Sequence, residues 1–228
     1  MSLIEVKSAA KKYGRHEVLK DVSFHVNAGE CVGIVGANGC GKSTLLKILS
    51  GSLKPDCGSI VYDGADPLKN AKLFEKLIGY VPQENPLMPQ LSVMDNLKFW
   101  YCGSKRSLKN DLINGAPAML GISEYADKRV DRLSGGQKKR LSIACALAKQ
   151  PPVLIMDEPG ASLDIVCKED IKNYLRQYMQ GGGTVILTSH EQTELELCSR
   201  MYLLKNGTLH ELDGPLQAAQ LKSLIMGM

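Results

Sequence analysis

One stretch of the 228-residue sequence has the residue types and spacing to hold phosphate: Gly36-Ala37-Asn38-Gly39-Cys40-Gly41-Lys42-Ser43-Thr44. It fits G-x-x-x-x-G-K-S/T, and it stands between a short apolar run, residues 31–35, and a segment of helical spacing, residues 45–49. Glycines at Gly36, Gly39 and Gly41 let the backbone curl until successive N–H groups converge on one concavity. A helix opening behind them presents unpaired N–H groups and its positive dipole end to anionic oxygens. Lys42 adds a full charge for β- and γ-phosphates. The Ser43 hydroxyl suits Mg²⁺, a hard cation that prefers oxygen.

A cradle of this kind needs carboxylates on a neighbouring strand. The run Val153-Leu154-Ile155-Met156 ends in Asp157-Glu158, so the two acids emerge at the C-terminal end of a buried strand, where open α/β sheets bind ligands. Adjacent strand residues point in different directions, which gives them separate roles. Asp157 is expected in the Mg²⁺ shell, and Glu158 as the general base that polarises an attacking water. A third string, Leu133-Ser134-Gly135-Gly136-Gln137, lies 20 residues before Asp157 and opens a helical run over 138–149. A serine hydroxyl, bare glycine backbone and a helix N-terminus make it a second anion site.

The elements that must position these residues follow from periodicity. Residues 4–8 and 18–26 alternate apolar and polar, the first reading as an edge strand. Residues 31–35, 153–156 and 184–187 are short apolar runs, expected as strands buried on both faces. Residues 58–63 and 78–81 are two further short strands, and 165–179 reads as a helix. Residues 201–204 and 208–212 flank Asn206-Gly207, the signal of a hairpin with a type I′ turn. Between 92 and 149 the texture is helical, opening at Ser92-Val93-Met94-Asp95, which has the form of a capping box. Strands alternating with helices predict an α/β fold with a mixed, mainly parallel sheet, an antiparallel β part and a helical insert.

Composition narrows the class. Lys+Arg 28 against Asp+Glu 24 leaves a net charge of +4, too small a surplus to indicate a nucleic-acid partner. Apolar residues at 44% and charged residues at 23% match a globular chain. The longest near-apolar run, residues 141–148, is far short of the roughly 20 residues that span a bilayer. The N-terminus lacks the build of a signal peptide, and Met1-Ser2-Leu3 could be a cloning remnant. Seven cysteines without a C-x-x-C pair suggest free thiols in a reducing compartment.

The three motifs in this order resemble the nucleotide-binding domain of ATP-binding-cassette (ABC) transporters, over about residues 3–213. The resemblance implies one ATPase domain over 1–213. Its RecA-like core would be formed by 1–91 and 150–213, its helical subdomain by 92–149, and a short C-terminal segment would follow over 214–228, with no room for a sizeable regulatory domain. It implies ATP and Mg²⁺ as cofactors. Tyr13 stands where the family stacks an aromatic on adenine. Gln83, in Val81-Pro82-Gln83, matches the glutamine that reaches Mg²⁺ or the attacking water. His190, in Thr188-Ser189-His190-Glu191, matches the switch histidine at the γ-phosphate. Pro159-Gly160-Ala161-Ser162-Leu163-Asp164 resembles the loop that crosses the dimer interface, with Gly160 in place of the expected threonine.

In that family the site is split. Gly36 to Thr44 of one protomer holds the triphosphate while Ser134 to Gln137 of a second copy, or of a homologous subunit, closes over it. The partners implied are that second cassette and separate transmembrane permease subunits, at the cytoplasmic face of the cell membrane. Residues 84–101, with Phe99, Trp100 and Tyr101, are expected either to receive the permease or to form core. The compact spacing looks most like prokaryotic two-component exporters. Two alternatives stay open: a soluble, cluster-assembly-like ATPase, and a nucleotide-binding scaffold without turnover.

Overall fold

The computed structural model describes residues 2–161, 163–212 and 214. Met1, Ser162 and nearly all of the C-terminal segment expected over 214–228 lie outside the described residues.

The glycine loop is held by the strand before it and the helix after it. Strand β3 (Cys31–Val35) leads into the loop, and α1 (Lys42–Leu49) leaves it. Around β3 the other strands are β1 (Ser2–Tyr13), β2 (His16–Asn27), β4 (Cys57–Tyr62), β5 (Ile78–Val81), β6 (Val153–Asp157), β7 (Thr184–Thr188), β8 (Arg200–Lys205) and β9 (Thr208–Leu212). They form one nine-stranded sheet in the order β4-β1-β2-β9-β8-β3-β7-β6-β5. Its centre is parallel: β3 pairs with β7 and β8, and β6 with β5 and β7. The antiparallel part is made by β1 with β2 and β4, and by the β8–β9 hairpin. Asn206 (φ +53) and Gly207 (φ +83) form that hairpin's turn, as a type I′ turn requires.

The remaining helices are α2 (Ala71–Leu77), α3 (Val93–Tyr101), α4 (Leu108–Asn114), α5 (Ala116–Met119), α6 (Gly135–Ala146), α7 (Ile165–Gln180) and α8 (Gln192–Leu195). Residues 93–146 contain helices and turns and no strand among the described residues.

The all-apolar strands are explained by two packed faces. Val32, Ile34, Val153, Ile155 and Ile186 share one core with Leu45, Leu46, Ile48 and Leu49 of α1 and with the inner faces of β1, β2 and β4. Cys31, Val35, Leu154, Met156, Val185 and Leu187 join the other core, with α3, α6 and α7. Burying each such side chain contributes roughly 1.5–3 kcal/mol. Asp157 has the parity of Val153 and Ile155, which places it on the α1 side of the sheet.

Three expectations are corrected. Residues 4–8 are not an edge: β1 pairs with β2 on one side and β4 on the other. Their alternation, with Ile4, Val6 and Ala9 buried, reports one solvated face rather than a free strand edge. At Ser92, the hydroxyl accepts from Asp95 N–H (3.0 Å) but donates to Asp95 Oδ2 (2.7 Å), so only half a capping box forms. An aspartate is one methylene too short to reach back to the cap N–H. The full box stands at Ser134 and Gln137, and it starts α6 at Gly135 rather than at Lys138; the helix ends at Ala146, short of Lys149.

Candidate functional site

The loop from Gly36 to Thr44 curls as its glycines allow. Gly39 has φ +77, and Gly41, the N-cap of α1, has φ +110. A Cβ on Gly36 would stand 2.5 Å from the carbonyl oxygen of Leu204 and 2.8 Å from Cys40 Sγ, so the strand-to-loop corner is closed to any side chain. Lys42 is buried at the centre, its Nζ donating to the carbonyls of Gly36 (2.8 Å) and Ala37 (3.2 Å). Cys40, within the loop, is half-buried, and burial pushes its thiol up.

A cleft of about 380 Å³ opens over this loop, lined by Asn38, Gly39, Gly41, Lys42, Ser43 and Thr44 together with Gln83, Glu158, His16 and Val18. Asp157 is buried beneath it, its Oδ1 accepting from Thr188 Oγ1 at 2.7 Å. The same hydroxyl accepts from Glu158 N–H at 3.1 Å, and the Thr188 carbonyl accepts from it at 3.1 Å. These bonds hold Glu158 at φ +47, a backbone conformation that non-glycine residues rarely adopt and that clusters at functional sites. Its carboxylate is thereby turned into the cleft, where Oε2 accepts from Gln83 Nε2 at 3.2 Å and Oε1 lies 3.4 Å from His190 Nε2.

The structure therefore brings together the loop residues, Gln83, Asp157, Glu158 and His190. It does not bring Tyr13 into the lining. That residue ends β1 half-exposed, and its register partner His16 lines the cleft instead. Ser134, Gly135, Gly136 and Gln137 also stand away from the cleft wall, at the N-terminus of α6. There Gly136 packs on α7: a Cβ would meet Cys167 Sγ at 2.9 Å.

Sequence reasoning missed three residues of the site. Thr188 stands one residue past the strand expected over 184–187, in the string that leads to His190, and carried no role of its own there. His16 could have been found from its place directly after the β1–β2 turn. Lys139 carries no local signal: it is buried in α6, donating from Nζ to the carbonyls of Pro82 (3.2 Å) and Gln83 (3.1 Å), and burial draws its pKa down.

A glycine cradle facing two carboxylates at the end of a parallel sheet is a P-loop nucleotide site. Residues 19–161 match the ABC transporter family. The spermidine/putrescine import ATP-binding protein of Mycoplasma mycoides subsp. mycoides SC is 35% identical over 220 residues, covering 94% of this chain and 62% of that protein. The Nod factor export ATP-binding protein I of Paraburkholderia xenovorans is 38% identical over 207 residues, 90% of this chain and 68% of that one. Among solved structures, a dimeric ATP-binding cassette in a post-hydrolysis state with ADP and Pi is 29% identical with a TM-score of 0.80, covering 92% of this chain and 99% of that chain. An ATP-binding subunit of an ABC transporter is 26% identical with a TM-score of 0.86, covering 99% of both chains. This chain belongs to the ABC transporter family, among its ATP-binding cassettes. It spans 62% of the length of the two import proteins from Mycoplasma that it matches.

Proposed function

We propose that this chain hydrolyses ATP as the energising subunit of an ABC transporter, pairing with a second cassette around two ATP and driving separate membrane subunits. The observation that carries this is the convergence of Gln83, Glu158 and His190: Gln83 and Glu158 line the glycine cleft, His190 lies against Glu158, and Thr188 holds Glu158 in a strained backbone.

In this reading the loop amides and Lys42 bind the triphosphate, Lys42 exchanging its carbonyl partners for phosphate oxygens. Glu158 takes the proton of the attacking water. Gln83 orients that water, and His190 faces the γ-phosphate. Catalysis is then positioning and charge stabilisation, as phosphoryl transfer requires. The donor set fits Mg²⁺: the Ser43 hydroxyl and Gln83 line the cleft and Asp157 lies beneath, all oxygen donors. When bound, that ion neutralises charge on the β- and γ-phosphates.

Ser134–Gln137 stand outside the cleft on an intact capping box, which leaves the N-terminus of α6 available to a second copy's nucleotide. The division into a core (1–91 and 150–213) and a helical subdomain (92–149) supplies two bodies to move when the pair closes and opens. A groove of about 600 Å³ between them, lined by Phe74, Tyr80, Pro86 and Trp100, is where a permease segment would dock. Tyr80 Oη and Trp100 Nε1 are buried there without a partner among the described residues, and Phe99 is 62% exposed nearby in sequence, whereas Tyr101 is core. No helix among the described residues is long and apolar enough to cross a membrane, so the spans would come from the permease, with this chain on its cytoplasmic face. The relatives include both import and export proteins, so no direction of transport is assigned.

The test is binding of labelled ATP with Mg²⁺ by the purified chain and by Lys42→Ala, with phosphate release measured alongside. Binding and release by the parent are expected, with a loss of affinity in the variant. Unchanged affinity in Lys42→Ala would contradict the proposal. Co-purification of a polytopic membrane protein tests the transport half.

A further inference from the structure

Glu194 is a buried carboxylate with no task in the mechanism above. It lies in α8, and burial pushes its carboxyl up. Its two oxygens serve different loops. Oε2 accepts from Ser189 Oγ, whose residue immediately precedes His190. Oε1 packs against the backbone of Gly160, two residues after Glu158. A Cβ on Gly160 would run into Glu194 Oε1, with Lys168 Cγ 3.5 Å away. Ser189 Oγ is fixed in turn by Glu191 N–H at 2.9 Å, and Glu191 Oε1 pairs with Lys168 Nζ at 2.9 Å.

We propose that Glu194 is a positioning residue for hydrolysis: its carboxylate ties the loop that follows Glu158 to the loop that carries His190, and Gly160 replaces the expected threonine because this carboxylate fills the space of a side chain. The inference rests on the ATPase reading given above. Glu158 and His190 are 3.4 Å apart, yet they come from strands β6 and β7 and are followed by separate loops. Thr188 fixes Glu158 itself, and the loops beyond these strands need a further link. A buried acid supplies it by accepting a directed hydrogen bond from Ser189 on one side and packing over the Gly160 backbone on the other, whereas an apolar side chain of similar size would lack the bond to Ser189.

The experiment measures kcat and KM for ATP in the parent, Glu194→Ala, Glu194→Gln, Gly160→Ala and the double variant Gly160→Ala/Glu194→Ala, with ATP affinity and Tm recorded for each. Glu194→Ala is expected to lower kcat by about 10- to 100-fold, the scale of a misplaced reacting group, while KM and ATP affinity stay within about threefold. Glu194→Gln keeps the shape and one acceptor, and should recover most of that loss. Gly160→Ala alone should also lower kcat, and in the double variant it should add nothing, because the atom it strikes is gone. If Glu194→Ala does not fold, Glu194→Gln and Gly160→Ala decide the question instead: Gly160→Ala must fall and Glu194→Gln must lie between it and the parent. Parental kcat in Glu194→Ala or in Gly160→Ala, or full additivity in the double variant, would overturn the proposal. A parent that neither binds nor hydrolyses ATP would instead remove the ATPase reading, so the two failures are distinct.

Discussion

Gln83 and Glu158 are 75 residues apart in sequence and meet at 3.2 Å, Nε2 donating to Oε2, while the carbonyl of the same Gln83 accepts from Lys139 Nζ at 3.1 Å. Gln83 is thus held at both ends, by Glu158 through its side chain and by α6 through its backbone. Lys139 lies two residues beyond Gln137 on that helix. A lysine of α6 is therefore hydrogen-bonded to the same residue that faces Glu158.

The first prediction follows from this link. Lys139→Met keeps length and burial and removes both hydrogen bonds. It should lower kcat about tenfold, equivalent to about 1.4 kcal/mol of barrier, with ATP affinity retained. Combined with Gln83→Ala it should show strong non-additivity, since both act on one hydrogen-bonded unit. Steady-state kinetics on the single and double variants check this; additive effects would show that Lys139 acts elsewhere.

Gly36→Ala tests the corner where β3 enters the loop. The added methyl would stand 2.5 Å from the Leu204 carbonyl, which belongs to β8 and cannot move alone. The variant should lose about 1–3 kcal/mol of stability, as over-packing of a tight site does, and more than about tenfold in ATP affinity. Calorimetric melting together with ATP titration reads both effects.

The third prediction concerns pH. Asp111 is buried and accepts from Tyr101 Oη at 2.7 Å and from Arg106. Burial alone would raise its carboxyl, but the Arg106 and Tyr101 hydrogen bonds outweigh it and hold it below the usual carboxylate range. A carboxylate depressed in the folded state contributes stability that is present above its unfolded pKa, near about 3.9, and is lost as pH falls through the folded value. Asp111→Asn should therefore flatten the acid limb of the stability curve below about pH 4. At neutral pH it should destabilise by an amount at the low end of the roughly 3–5 kcal/mol for a broken buried pair, since Arg106 remains partly solvated. Denaturant melts from about pH 3 to 7 measure it; parallel curves for parent and variant would contradict the assignment.

What was legible in the sequence was local. The glycine loop, the strand ahead of it and the helix behind it are one continuous segment, and apolar runs such as Val153–Met156 announced two-sided burial. The Asn206-Gly207 turn carries its geometry in two adjacent residues, whereas the capping box expected at Ser92 stands complete at Ser134 and Gln137 instead. What was hidden depends on contacts distant in sequence. Nothing near Lys139 indicates that it is buried against residues 82 and 83, and nothing near Gly160 indicates Glu194. Alternation over residues 4–8 revealed a solvated face but not that β4 would pair with β1. The strained backbone of Glu158 arises from Thr188, 30 residues away. Tyr13 follows from resemblance alone, and the structure lines the cleft with its neighbour across the turn, His16.

The most direct measurement is ATP turnover and association state of Glu158→Gln with Mg²⁺. The substitution keeps the shape at the end of β6 and removes the base. If Glu158 is that base, phosphate release falls by about 10²–10⁴ and an ATP-bound pair of chains accumulates, visible by light scattering after size exclusion. A variant that releases phosphate at the parent's rate, or that binds ATP and never pairs, would contradict it.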